Sequence, residues 1–159
     1  MKITVIAVGR IKEKHYTMAA DEYVKRLGRY AKLEIVEVAD EKTPDGATEN
    51  EEELIRTKEG ERIIKYIKEG AYVITLEIEG KMLDSVELSE KIHNIGLAGK
   101  SHIIFIIGGS LGLSKEVKNK ADFRLSFSKM TFPHQLMRVI LLEQVYRSFR
   151  ILGNEPYHK

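Results

Sequence analysis

A cluster of glycines late in the chain is the first place where the sequence could hold a ligand. Gly108, Gly109 and Gly112 lie in the stretch IIGGSLG, directly after a wholly apolar run. Without β-carbons, the backbone there can approach a ligand closely and can adopt positive φ angles. A tight turn between a strand and a helix uses glycine for the same reason, so the residues alone leave both interpretations open.

The segment LSFSKMTFPH, residues 125–134, is a second candidate because it mixes polar and apolar side chains between a short strand and the last helix. Backbone amides at the end of a strand could bind the edge of an adenine ring, with Met130 and Phe132 as the walls of the pocket. The same two side chains could equally be ordinary core residues. Composition does not choose between these interpretations.

The terminal segment PYHK carries a phenol and an imidazole, Tyr157 and His158. Both groups can donate or accept hydrogen bonds, although the end of a chain more often frays than reacts. Arg147 and Glu143 lie one helical turn apart and could pair, which leaves Arg147 either structural or available to a phosphate or to the tail. His134 could contact a ligand or simply occupy the start of the last helix, and it ranks below His158.

Several common kinds of site are excluded or disfavoured by their missing motifs. Only Gly9 follows the first predicted strand, so the dinucleotide fingerprint is absent, and no phosphate-loop lysine motif occurs. No pair of histidines has zinc spacing, and no Gly-x-Ser-x-Gly elbow is present. With no cysteine in the chain, a disulfide framework and a thiolate site are impossible.

The elements that must position these residues alternate between strands and helices along the whole chain. Apolar runs predict strands at 3–8, 33–38, 71–78, 103–107 and 124–127, and apolar periodicity predicts helices at 13–30, after Thr48, at 85–97, after Ser114 and from Pro133 to about residue 152. Glu79-Gly80-Lys81 is expected to end the third strand, and Ser85 to cap the helix that follows. The pattern predicts one α/β domain, residues 1–159, with a parallel sheet of about five strands.

The charge distribution is uneven, although the net charge is only +2. Residues 40–62 contain nine acidic and four basic residues, whereas residues 100–159 contain ten basic and four acidic ones. A basic final third could face a polyanion, but two solvated surfaces that merely differ would give the same count. The absence of cysteine, of a signal sequence and of a long apolar run favours a cytoplasmic protein without membrane spans.

The chain resembles the RlmH family, the large-subunit ribosomal RNA methyltransferases of the SPOUT class. Three motifs in the family's order carry the resemblance: IIGGSLGLSKEV, LSFSKMTFPHQLMRVILLEQVYR and the terminal PYHK. The segments MKITVIAVGRIKEK and VITLEIEGK fit the same family, so that the resemblance covers essentially the whole chain. Only the acidic stretch 40–53 is unmatched.

The resemblance implies a deep trefoil knot in the α/β sheet, a homodimer, and S-adenosylmethionine in the knotted loops. It implies methylation of N3 of a pseudouridine in 23S ribosomal RNA, with no metal, no DNA and no membrane involved. The cofactor positions that it implies are Leu76, Gly108, Phe127, Ser128, Lys129, Met130, Thr131 and Phe132. It also brings the terminal segment to the active site.

The implied reaction assigns roles to the remaining candidates. The sulfonium of the methyl donor carries its own leaving group, so the enzyme must align the methyl carbon with N3 and have the N3 proton removed. Tyr157, His158 and Arg147 are the candidate catalytic residues for proton removal or for orienting the base. Two alternatives stay open: a flavodoxin-like enzyme that binds a flavin or a nucleotide, and a non-catalytic module that binds the ribosome through the basic face.

The apolar run VILLEQVY in the last helix is too wide for a single buried stripe, which predicts an obligate dimer that uses this helix. Sedimentation at micromolar concentration should give about twice the chain mass of 18.2 kDa. A clean monomer that still methylates RNA would refute the prediction.

Overall fold

The computed structural model describes residues 1–159 and contains one five-stranded sheet, in which every strand pairing is parallel. The strand order is β2-β1-β4-β3-β5. The strands are β1 (Lys2–Val8), β2 (Lys32–Val38), β3 (Tyr72–Met82), β4 (His102–Ile107) and β5 (Phe123–Ser126). The helices are α1 (Lys14–Leu27), α2 (Glu49–Ile64), α3 (Ser85–Leu97), α4 (Lys115–Asn119) and α5 (His134–Leu152). The predicted parallel α/β sheet is confirmed.

Helices cover both faces of the sheet, as the continuous apolar strands predicted. Alternate residues of β4 point to opposite faces: Phe105 packs under α1, α3 and α5, and Ile106 packs under α2 and α4. The first of these clusters is the larger, with 17 buried residues against nine. It fixes α5 across the sheet, between α1 and α3.

Local signals in the sequence explain where most helices begin. Thr48 accepts a hydrogen bond from the Glu51 amide at 3.2 Å, and Ser114 accepts one from the Val117 amide at 3.3 Å, both as predicted. Acidic residues of the 40–53 stretch fill the first turn of α2, where the helix dipole favours negative charge.

Several boundaries differ from the sequence-based prediction, and α1 ends at Leu27 instead of near residue 30. Asp84, not Ser85, caps α3, because its carboxylate forms a reciprocal capping box with Glu87. Pro133 precedes α5 instead of occupying its first turn, and β5 is Phe123–Ser126 instead of 124–127.

The largest difference is in β3, which continues to Met82 instead of ending at Glu79-Gly80-Lys81. Its pairing with β5 is interrupted between Leu76 and Lys81, so the intervening residues bulge out of the ladder and the strand then resumes. Gly80 is required there, since a β-carbon would lie 2.7 Å from the Arg124 carbonyl oxygen.

None of the five helices combines the length and the apolar character that a membrane span requires.

Candidate active site

A cleft of about 770 Å³ opens at the carboxyl edge of the sheet, beyond the ends of β3, β4 and β5. Open parallel sheets bind ligands at this edge, and the volume lies in the range of small-molecule sites. Four segments line the cleft: the β3 bulge, the glycine loop (residues 108–113), residues 125–133 and the start of α5. Its lining includes Leu76, Gly108, Phe127, Ser128, Met130, Thr131, Phe132 and His134.

The glycine loop folds tightly on itself. The Gly112 amide donates to the Gly109 carbonyl at 3.1 Å, and Gly112 has a φ of 81°. A β-carbon on Gly108 would lie 2.9 Å from the carbonyl carbon of Gly112, so the loop closes only around a glycine. The amides of Ser110 and Leu111 donate no backbone hydrogen bond, which leaves two donors at the cleft for a ligand.

Serine hydroxyls shape the segment before α5. The Ser126 hydroxyl lies 2.9 Å from the Ile78 carbonyl oxygen and 3.1 Å from that of Ser128, and thereby ties the segment to the β3 bulge. The Met130 amide donates to the Ser128 hydroxyl at 2.9 Å. Met130 is 73% exposed, so it forms a rim of the cleft and is not a core residue. Lys129, alone among the predicted cofactor positions, does not line the cleft.

The start of α5 is held against the end of β1 by a buried arginine. Arg138 is 3% exposed and donates to the Glu37 carboxylate at 2.6 Å and to the Gly9 carbonyl at 3.0 Å. His134 lies one turn earlier, at the cleft, and burial together with the Arg138 charge lowers the pKa of its imidazole. His134 therefore enters the cleft as a neutral ring over a wider pH range than an exposed histidine.

The three predicted catalytic residues lie together near the end of α5. Arg147 donates to the Glu143 carboxylate at 2.7 Å, and the Tyr157 hydroxyl donates to the same oxygen at 3.0 Å. The Arg147 guanidinium lies 3.0 Å from Nδ1 of His158 and 4.7 Å from the centre of the Tyr157 ring. The predicted pair of Arg147 and Glu143 is thus present, and the terminal segment folds back along α5.

A left-handed turn returns the terminal segment to α5. Asn154 has a φ of 52°, a conformation that asparagine tolerates better than most residues. Arg150 then donates to the Glu155 carboxylate at 2.6 Å and to the Pro156 carbonyl at 3.1 Å, and Tyr157 packs edge-on against Tyr146. These contacts leave Tyr157 half-buried and His158 exposed.

The geometry restricts what each group can do. Burial, the hydrogen bond to Glu143 and the charge of Glu143 raise the pKa of Tyr157 to about 12, so the phenol stays protonated at neutral pH and acts as a donor. Arginine cannot accept a hydrogen bond, so the contact with Arg147 makes Nδ1 of His158 the acceptor. A neutral His158 then carries its proton on Nε2, and it too presents a donor.

The two sets of candidate residues do not meet within one chain. Met137 lines the cleft, whereas Arg147 lies ten residues further along the same helix. At 1.5 Å per residue, this corresponds to about 15 Å of helix. None of Arg147, Tyr157 and His158 lines the cleft.

Sequence reasoning missed several residues of the site. Glu77 lines the cleft beside Lys118 and Arg124, at 3.9 and 3.6 Å, because the β3 bulge carries it there. Arg138 and Glu59 are buried charged residues whose burial follows from tertiary packing. Gly80 was the local signal for the bulge that carries Glu77 to the cleft, but it was interpreted as the end of the strand.

Comparisons with known proteins agree with this architecture. The family model described as "Predicted SPOUT methyltransferase" matches residues 1–158. A protein of Clostridium novyi (strain NT), named ribosomal RNA large subunit methyltransferase H, is 62% identical over the full length of both chains. The protein of the same name from Alkaliphilus oremlandii (strain OhILAs) is 58% identical, also over both full lengths.

Two solved structures share the fold at low sequence identity. A probable methylase family protein from Haemophilus influenzae Rd KW20 aligns with a TM-score of 0.54 at 15% identity, covering 99% of this chain and 70% of that chain. The tRNA (m1G37) methyltransferase from Aquifex aeolicus gives a TM-score of 0.54 at 16% identity, covering 92% and 70%.

The terminal contacts predict how Tyr157 ionises. Its pKa should be about 12, and Glu143→Gln should lower it by removing the acceptor and its charge, although burial, the largest cause, remains. A titration followed by NMR of ring-labelled tyrosine would measure both values, with the exposed Tyr66 as an assigned reference. A Tyr157 midpoint near the ordinary value of about 10 would mean that the terminal segment does not rest on Glu143 in solution.

Proposed function

The chain belongs to the SPOUT methyltransferase family, and from this premise we propose that it transfers the methyl group of S-adenosylmethionine to N3 of a pseudouridine in 23S ribosomal RNA. The glycine-lined cleft at the carboxyl edge of the sheet is the observation that carries the proposal. The names of the two relatives and the motifs of the sequence support an RNA substrate. Assembled ribosomes in the cytoplasm are the proposed setting.

The residues of the cleft fit such a cofactor. Gly108 allows the glycine loop to close tightly at the cleft, and the unpaired amides of Ser110 and Leu111 suit polar groups of the ligand. Apolar walls from Leu76, Phe127 and Phe132 suit an adenine ring. When bound, the cofactor supplies an activated methyl group and leaves as a neutral thioether. The knot that the resemblance implies would enclose the loops that hold it.

The terminal cluster of Glu143, Arg147, Tyr157 and His158 is proposed to bind the target base. N3 of a pseudouridine lies between two carbonyl groups, and loss of its proton leaves negative charge on their oxygens. His158 presents a donor on Nε2 and Arg147 adds a positive charge, so both stabilise that anion. The single hydroxyl proton of Tyr157 is donated to Glu143, so Tyr157 is proposed to hold the segment in place and to orient the base. The N3 proton would pass to water, and N3 would accept the methyl group while the carbon–sulfur bond of the donor breaks and the thioether leaves.

A partner subunit is needed to bring this cluster to a cleft. Leu136, Ile140, Glu143 and Arg147 lie on one face of α5, at helical spacing, and each is partly exposed. Leu136 and Ile140 belong to neither apolar cluster of the subunit, so a partner would bury them.

We propose that two copies of this face pack across a two-fold axis with their helices running in opposite directions. The Arg147 end of one helix would then lie beside the Leu136 end of the other, which begins at the cleft. Each active site would combine the cleft of one subunit with the terminal segment of its partner.

The match to the SPOUT methyltransferase family disfavours the two alternatives that the sequence left open, and a binding experiment tests them directly. A flavodoxin-like enzyme would bind a flavin or a nucleotide, and a ribosome-binding module would bind neither. Calorimetry with S-adenosylmethionine separates both from the proposal. If the isolated protein binds it only weakly, the titration is repeated with large ribosomal subunits present.

The cofactor site is tested by Gly108→Val. The added side chain should clash with Gly112 in the same loop and reduce S-adenosylmethionine binding below detection, while the rest of the fold persists. Gly96→Val, on the exposed face of α3, is the matched control, since a β-carbon there makes only ordinary contact with Met1. Calorimetry and circular dichroism measure binding and folding. A folded Gly108→Val protein with normal affinity would place the cofactor elsewhere.

The terminal segment is tested by removing residues 156–159. Dimerisation and S-adenosylmethionine affinity should stay nearly unchanged, because neither is assigned to these residues. Methylation of 23S RNA in ribosomes should fall by at least about a hundredfold, since orientation and anion stabilisation are both lost. His158→Ala should cause part of that loss. A truncated enzyme with the normal rate would return the segment to a purely structural role and direct attention to His134.

A further inference from the structure

Glu59, in α2, is a buried carboxylic acid with an unsatisfied oxygen. The residue is 4% exposed, and Oε2 accepts a hydrogen bond from the Glu41 amide at 2.9 Å. Oε1 is buried and has no hydrogen-bond partner. Leaving a charged oxygen buried and unpaired is costly, so such a group calls for a functional explanation.

The carboxyl group lies directly behind the glycine loop. A β-carbon on Gly109 would be 3.2 Å from Oε1 and 3.4 Å from Oε2, and Gly109 itself lines the cleft. The Glu59 carboxyl group therefore packs against Gly109, a residue of the cleft lining, beside the Val8 side chain. The loop, residues 108–113, contains no titratable side chain that could neutralise it.

No cation is paired with Glu59. Arg62, one turn later on α2, is engaged by the Glu41 carboxylate at 2.6 Å and the Ala39 carbonyl at 2.8 Å. Asp40 adds a further negative charge near Glu59. Ser114 and Val117 pack against Gly60, the next residue on α2, and neither side chain carries a charge. Glu77 is the other acid at the cleft with a buried side chain, and unlike Glu59 it has cations beside it, Lys118 and Arg124. Burial is the largest cause that raises the pKa of Glu59, and it outweighs the Glu41 amide and the charge of Arg62, which lower it.

We propose that Glu59 is a positioning residue whose carboxylate, placed behind Gly109, selects the cationic methyl donor over its neutral product. The inference rests on the proposed function. The sulfonium of S-adenosylmethionine carries a positive charge, which is lost when the methyl group leaves, whereas the rest of the molecule is unchanged in S-adenosylhomocysteine. When Glu59 is ionised, its charge attracts the sulfonium, which S-adenosylhomocysteine lacks, so this attraction is lost after transfer.

Glu59→Gln keeps the size and the hydrogen bond from Glu41 but removes the charge. S-adenosylmethionine affinity should fall about tenfold, the order expected for one charge acting on another through several ångströms of protein. S-adenosylhomocysteine affinity should change less than about twofold by the same argument, because this ligand lacks the sulfonium. Glu53→Gln, an exposed glutamate on the same helix, is the control that should leave both affinities unchanged.

Calorimetry with both ligands on the full-length protein gives the ratio of affinities that decides the question. Equal losses for the two ligands would show that Glu59 only supports the fold of the loop, and would overturn the proposal. A wild-type protein that binds neither ligand, alone or with ribosomal subunits, would instead refute the proposed function.

The wild-type protein provides a second test if Glu59→Gln does not fold. A cation in the cleft favours ionised Glu59, so S-adenosylmethionine binding should release protons and strengthen as pH rises through the raised pKa of Glu59. S-adenosylhomocysteine binding should neither release these protons nor strengthen over the same pH range. Calorimetry in two buffers of different ionisation enthalpy measures the protons released. Identical proton release for the two ligands would contradict a charge-selecting role.

Discussion

The rigid length of α5 is the constraint on which the rest of this account depends. At its start, buried Arg138 fixes the helix to the carboxyl ends of β1 and β2 through Gly9 and Glu37. Nearer its end, Glu143 pairs with Arg147 and accepts the hydrogen bond of Tyr157, which holds the terminal segment against the helix. A helix packed over a sheet by a large apolar cluster cannot fold to bring its two ends together. The cleft and the terminal cluster therefore stay apart within a subunit, and a partner is the simplest means of uniting them.

The charges of the two regions match the two molecules that are to react. The cleft is backed by the unpaired carboxyl group of Glu59, which suits a cationic methyl donor. The terminal cluster exposes Arg147 and His158, which suit a base that becomes anionic and an RNA backbone that already is.

Much of the fold could be predicted from local sequence, because β-branched runs such as those of β1 and β4 and caps such as Thr48 and Ser114 act over a few residues. The error at Asp84 was local, because Glu87 follows it at capping-box spacing, but the larger errors arose where distant contacts decide. Gly80 looked like the end of a strand, but the pairing of β3 with β5 resumes beyond it. The burial of Glu59 and Arg138 has no local signal. The cofactor positions came from the resemblance alone, and Lys129 is exposed and lies outside the cleft lining.

A mixed dimer tests the central claim, a site shared between subunits, most directly. One subunit carries Gly108→Val and the other lacks residues 156–159, and co-expression with two affinity tags isolates the dimer that contains one of each. In a shared site, the intact cleft and the intact terminal segment meet once per dimer, so about half of the wild-type methylation of ribosomes should return. If each subunit completes its own site, both sites remain defective. Activity no greater than that of either inactive homodimer would contradict the account.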